Sequence, residues 1–157
     1  MISVNIMKFI ADEMLGRLAK WLRIFGYDTL YIQNIRDAEI IRRSIIERRI
    51  LLTRDTIMIK RKGLKNFLFI SHDHTIDQLK QVVYELRLSQ PDNPFSRCVV
   101  CNTAITTYSK EYACRTVPEY VCNTQDVFGY CQECKKIYWK GTHYAKMLKT
   151  IEGLFIR

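Results

Sequence analysis

Glycine and proline are scarce, six and three in a chain of 157 residues. That scarcity excludes a collagen-like repeat or a Pro/Gly-rich linker protein. It also leaves no glycine-rich phosphate loop, since Met14-Leu-Gly-Arg17 is neither a Walker sequence nor a dinucleotide fingerprint. Long apolar runs are missing too: no uninterrupted stretch approaches the ~18 residues that suggest a membrane span. The N-terminal Met1-Ile-Ser-Val-Asn-Ile-Met-Lys-Phe-Ile-Ala-Asp12 lacks the basic start, apolar middle and small-residue cleavage site of a secretory signal. The expectation is a cytoplasmic protein. His72 and His74 have no serine or cysteine nucleophile motif beside them, so an acyl-transfer triad has little support. Acidic residues are the minority, 16 against 25 Lys and Arg, which leaves a net charge of +9. An excess of that sign favours a polyanionic partner, because phosphates are neutralised and their counterions released. RNA or DNA comes first, and an anionic membrane surface second.

Cysteine is absent from the first 93 residues, and all six lie between Cys98 and Cys134. The basic excess is shared: 16 basic and 11 acidic residues precede Pro94, and 9 and 5 follow. The change in composition falls in the turn-rich Ser89-Gln-Pro-Asp-Asn-Pro94, which predicts two modules, residues 1–93 and 94–157.

Within the first module, Met7 to Ala11 is a short apolar run ending at Asp12. Leu15, Leu18, Leu22 and Phe25 then follow at helical spacing, with Arg17 and Lys20 off that stripe and Gly26 as a C-cap. Tyr27 to Ile32 has strand composition. Asp37 opens a helical pattern through Ala38, Ile41 and Ile45, where its carboxylate could cap orphan amides. Ile50 to Thr53 is a third strand, followed by Arg54 and Asp55, a short helical stretch from Thr56 to Lys62, and Gly63. Asn66 to Ile70 is a fourth strand, leading to Ser71, His72 and Asp73. Thr75 and Gln78 have capping-box spacing, and Ile76, Leu79, Val82, Val83 and Leu86 form the apolar face of a last helix. This βαβαβαβα order predicts an α/β fold with a parallel sheet flanked by helices.

Sheets of that kind keep their sites at the C-terminal ends of the strands. Asp12, Asp37, Asp55 and Asp73 all fall on that rim. A lone Asp after a strand is usually a turn former or cap, but four together need neutralising, and hard Mg²⁺ or Mn²⁺ would do so while bridging to phosphate oxygens. A basic exterior with an acidic catalytic pocket suits hydrolysis of a phosphodiester. Arg17 and Arg54, each close to a proposed acidic residue, and Lys20 beside them are the candidate phosphate contacts.

Cys98-Val-Val-Cys101 and Cys131-Gln-Glu-Cys134 are two knuckles 29 residues apart, and four thiolates complete tetrahedral zinc. With no open coordination position, that zinc would be structural, in a small β-rich ribbon. Cys114 and Cys122 lack knuckle spacing and are expected to be buried small hydrophobes rather than further ligands. Trp139, Lys140 and His143 lie in a Trp-Lys-Gly-Thr-His run that could stack bases and contact phosphate, or could pack the ribbon onto the first module.

Lys8-Phe-Ile-Ala-Asp-Glu-Met-Leu-Gly-Arg-Leu-Ala-Lys-Trp-Leu-Arg-Ile-Phe-Gly-Tyr-Asp-Thr-Leu-Tyr31, Ile50-Leu-Leu-Thr-Arg-Asp55, Pro94-Phe-Ser-Arg-Cys-Val-Val-Cys-Asn102 and Tyr138-Trp-Lys-Gly-Thr-His143 together resemble the Mut-seven C-terminal RNase family. The resemblance implies a PIN-like nuclease domain followed by a zinc ribbon, and a metal-dependent ribonuclease, expected to cut internally, with Asp12, Asp37 and Asp55 as acidic site residues and Asp73 as a less secure fourth. PIN-like folds also include members that bind RNA without cutting it. The competing expectation is therefore a non-catalytic RNA- or ribosome-binding adaptor, and a protein regulator is a further candidate partner.

Overall fold

The structure is a computed structural model and describes residues 7–155. Four short strands, β1 (Lys8–Ala11), β2 (Asp28–Tyr31), β3 (Ile50–Thr53) and β4 (Phe67–Phe69), form a parallel sheet in the order β2-β1-β3-β4. Helices α1 (Gly16–Ile24), α2 (Asp37–Ile46) and α3 (Thr75–Glu85) connect or follow them. Successive side chains of a strand point to opposite faces, and here each face is covered. Phe9 and Ala11 of β1 join Leu52, Leu68, Leu18, Leu22, Leu79 and Val82 in one core, whereas Ile10 joins Leu51, Ile40, Ile41 and Met58 in the other. Cover on both sides explains why the central strands β1 and β3 carry apolar residues at successive positions, Phe9, Ile10 and Ala11 in one and Ile50, Leu51 and Leu52 in the other, rather than alternating.

The α1 stripe of Leu15, Leu18, Leu22 and Phe25 is buried as expected. The helix ends in a Schellman cap. Gly26, at φ 93°, donates to Arg23 O, and Tyr27 donates to Leu22 O. A Cβ at Gly26 would sit 2.7 Å from the carbonyl oxygen of Asn93, so glycine is required there twice over.

Two other helices differ from expectation. In α2 the buried residues are Ile40, Ile41 and Ser44, and Ile45 is exposed; the Ser44 hydroxyl is tolerated inside because it donates to Ile41 O. In α3 the N-cap is His74, not Thr75, and Ile76 is exposed at the rim. Gln78 makes no capping box. Its side chain donates instead to the carbonyls of His72 and Asp73.

Beyond Pro94 lie β5 (Thr106–Tyr108), α4 (Lys110–Ala113), α5 (Glu119–Thr124), β6 (Phe128–Cys131), β7 (Lys136–Tyr138) and α6 (Thr142–Phe155). The three strands form an antiparallel sheet, β5-β6-β7. Ala113, Val121 and Phe128 give it a small core of its own. Cys114 and Cys122 are neither buried hydrophobes nor extra ligands: they are half-buried and joined in a disulfide that staples α4 to α5. α6 then returns to the parallel-sheet core, inserting Ile151 beside Met147, Leu154 and Phe155. No helix among the described residues is long and apolar enough to cross a membrane.

A polar network joins the two sheets. Arg23, on α1, donates from Nε to Thr29 O and from Nη1 to the carbonyls of Val99 and Val100 in the first cysteine knuckle. Asn102 accepts the Thr29 amide and donates to Asp28 Oδ1, and Asp28 also receives Arg49 at 2.7 Å. Burial works to raise the Asp28 carboxyl, but the hydrogen bonds from Arg49 and Asn102 outweigh it and hold the group below its ordinary value. A depressed carboxylate stabilises the fold above its ordinary pKa and loses that contribution as pH falls through the lowered one. Asp28→Asn is therefore expected to cost about 2 kcal/mol near neutral pH. The gap to wild type should close below about pH 4, as read from urea denaturation at several pH values.

Candidate functional site

Because the four strands are parallel, their C-terminal ends share one edge, and the four aspartates stand along it. Asp12 follows β1 directly and is 4% exposed. Its Oδ1 accepts the Met14 amide, and its Oδ2 accepts the Thr53 hydroxyl and the Arg54 amide. Thr53, the last residue of β3, also accepts the Asp55 amide at 3.0 Å. Asp55 in turn caps the next turn, its Oδ1 accepting the amides of Ile57 and Met58. One buried hydroxyl thus fixes Asp12 and Asp55 relative to each other. Thr53 was missed in the sequence, where the only signal was a polar residue closing an apolar strand just before Arg-Asp.

The other two carboxylates have basic partners. Asp73, 81% exposed at its side chain, is held by the Arg54 guanidinium, whose hydrogen bond and charge draw it below the usual carboxylate range. Asp37 is the first residue of α2 and makes no cap hydrogen bond; it lies 3.5 Å from Arg61 Nη2. Among the described residues, no three of these carboxylates bring oxygens within 4.8 Å of one another. Asp12 and Asp55 are carboxylates whose orientation is fixed by the amides and the hydroxyl that donate to them. Asp37 and Asp73 face Arg61 and Arg54 instead.

Beside this edge lies a cleft of about 430 Å³ whose walls include Arg17 and Lys20 of α1, Arg54, Asp73, Thr75 and Gln78. All three phosphate-contact candidates of the first module therefore meet in one place, with Asp73 among them. Tyr31 forms another wall and donates its hydroxyl to Glu13 O; its ring fills the space that a Cβ on Gly16 would need, 2.8 Å from Cζ. Trp139, Lys140 and His143 do not line the cleft. They are exposed at the junction of β7 and α6, where Lys140 lies over the Tyr144 ring and Tyr144 packs on Phe95.

Cys98, Cys101, Cys131 and Cys134 converge with all four Sγ atoms within 4.8 Å of one another. Tetrahedral zinc with Zn–S near 2.3 Å spaces its sulfurs by about 3.8 Å. The Cys98–Cys134 and Cys101–Cys131 pairs lie at 3.9 and 3.3 Å, and the Cys134 amide donates to Cys131 Sγ. The donor set fits, and the cluster could hold a metal such as zinc. Four thiols this close do not ionise alike. Burial works to raise Cys101, but hydrogen bonding with Thr103 outweighs it and brings Cys101 to about 6; the contact with Cys101 pushes Cys134 up to about 12. A cation that draws all four sulfurs into thiolate form must therefore displace protons, most reluctantly from Cys134.

A family model described as Mut7-C RNAse domain matches residues 7–151 of the chain. No curated protein matches it.

The thiol geometry predicts about one zinc per chain by elemental analysis. Cys98→Ser should lose that zinc, melt the β5-β6-β7 sheet and lower Tm by at least about 10 °C, read by circular dichroism and calorimetry.

Proposed function

Since the chain belongs to the Mut7-C RNAse domain family, we propose that it is a ribonuclease dependent on Mg²⁺ or Mn²⁺ that cuts RNA internally. The observation that carries this reading is the adjacency of two arrangements. Thr53 ties Asp12 to Asp55, and Arg54 donates its amide to Asp12 while its guanidinium stands in the basic cleft. The residue that helps to orient the acidic pair is thus also one that can grip phosphate.

Asp12 and Asp55 would hold a divalent ion, which would supply an acidified water and neutralise charge on phosphate oxygens. The protein's own part is positional. Arg17, Lys20 and Arg54 draw the backbone of a strand into the cleft by charge. A phosphate arriving at Arg54 competes with Asp73 for the same guanidinium, and its entry frees that carboxylate to join Asp12 and Asp55. Asp37 would join them only on leaving Arg61, its partner at 3.5 Å. Trp139, Lys140 and His143, exposed on the second module, offer an aromatic and basic surface to a continuing single strand, and a zinc held by Cys98, Cys101, Cys131 and Cys134 would keep that module folded.

A second reading, a non-catalytic RNA- or ribosome-binding adaptor, is favoured by the arginine partners of Asp37 and Asp73. The two readings part in a cleavage assay on end-labelled RNA with and without Mn²⁺. We expect internal cuts that need the ion. Asp55→Asn and Asp12→Asn should each slow cleavage by at least about a hundredfold with RNA affinity retained and the circular dichroism spectrum unchanged. Unaltered cleavage by both folded variants would remove the rim from the mechanism, and salt-sensitive binding without turnover would favour the adaptor.

A further inference from the structure

Gln78 is 5% exposed, lies in the first turn of α3 and lines the cleft. Its two amide protons are committed, at 2.9 and 3.3 Å, to the carbonyl oxygens of His72 and Asp73. Those oxygens can only accept, so they fix which end of the amide is nitrogen. Among the described residues Oε1 accepts no hydrogen bond, yet no side-chain oxygen or nitrogen there is fully buried without a partner. The oxygen is therefore not fully buried, and Gln78 is one of the side chains that line the cleft. It offers a hydrogen-bond acceptor that a donor on a ligand can engage in exchange for water.

The basic side chains of the cleft ask for the opposite, and Asp73, its one carboxylate, is already held by Arg54. Arg17, Lys20 and Arg54 bring donors and positive charge. The N-terminus of α3 adds amides that no side chain caps, since His74 makes no capping bond. A phosphate satisfies every one of these groups but offers Gln78 nothing, because its oxygens only accept at neutral pH. A group carrying a phosphate next to a hydroxyl satisfies both. Deoxyribose lacks that hydroxyl, and ribose carries it at the 2′ position.

We propose that the cleft binds one ribonucleotide unit of the strand, its phosphate on Arg17, Lys20 and Arg54 and its 2′-hydroxyl donating to Gln78 Oε1. Gln78 is then the residue by which this protein distinguishes RNA from DNA. The inference rests on the ribonuclease reading for its ligand class, but it concerns binding and does not depend on the rim being catalytic.

The test is a comparison of Kd by fluorescence anisotropy for three oligonucleotides of one sequence, all-ribo, 2′-fluoro and 2′-deoxy, with gels confirming that the strands stay intact. Fluorine keeps the ribose-like pucker but cannot donate. Wild type should prefer the ribo strand to the 2′-fluoro strand on the order of tenfold, the worth of about one hydrogen bond. Gln78→Met should abolish that preference by weakening the ribo strand alone, whereas Arg17→Gln should weaken all three strands alike. Equal ribo and 2′-fluoro affinities in wild type would overturn the proposal, as they would if a base amine were the donor, and this comparison needs no variant to fold. Equal weakening of all strands by Gln78→Met would also overturn it, leaving Gln78 as a support for the His72–Asp73 loop. Failure of the ribonuclease reading shows separately, as intact strands under every ion condition.

Discussion

A guanidinium enclosed by the fold ties its two sheets together. Arg23 is 4% exposed, and a cation in that position is tolerated only with its protons answered. Thr29 O answers on one side and the carbonyls of Val99 and Val100 on the other. Burial lowers its pKa, and the nearby thiols of Cys101 and Cys98 and the carboxylate of Asp28 act in the opposite direction. Four thiolates around one divalent ion carry a net negative charge, and Arg23 stands directly behind the knuckle that supplies two of them. The first module therefore needs the knuckle to satisfy a buried cation, and the knuckle gains a fixed counter-charge. The same helix carries Arg17 and Lys20 to the cleft, so the thiol centre and the cleft are held in relation by a single rod.

The parts of this architecture visible in the sequence are those set by local pattern. Apolar runs such as Phe9-Ile-Ala11 and Leu51-Leu52 declare strands covered on both faces, and Leu15, Leu18, Leu22 and Phe25 declare a helix because their spacing survives any context. Two knuckles of identical spacing announce a shared cation. Arg23 sits one position from Leu22 and looks like another solvated arginine, because its partners lie 76 and 77 residues away. Cys114 and Cys122 are eight residues apart, and nothing local says that two short helices fold their chains back to bring them together.

The site divides in the same way. That four aspartates stand on one edge follows from strand direction, which alternation of strands and helices already dictates. Which of them are free to act depends on partners: Thr53 binds Asp12 and orients Asp55, while Arg54 and Arg61 occupy Asp73 and Asp37. These contacts are made by long side chains whose rotamers are chosen by packing, and no spacing encodes them. Gln78 is the sharpest case. Its position after Thr75 suggested a local capping role, whereas its amide reaches back before the helix to hold the loop that carries Asp73.

The return of α6 to the first core makes the zinc-ribbon segment a loop rather than a tail. Ile151 must find α1 and α3 across a stretch of more than fifty residues, and such distant contacts slow folding because the chain entropy of closure is lost before any contact rewards it. Joining Cys98 to Cys134, 36 positions apart, through one ion removes most of that excursion. The metal that the four thiols could hold would therefore act beyond its own ribbon, by shortening the loop that must close before α6 reaches the first core.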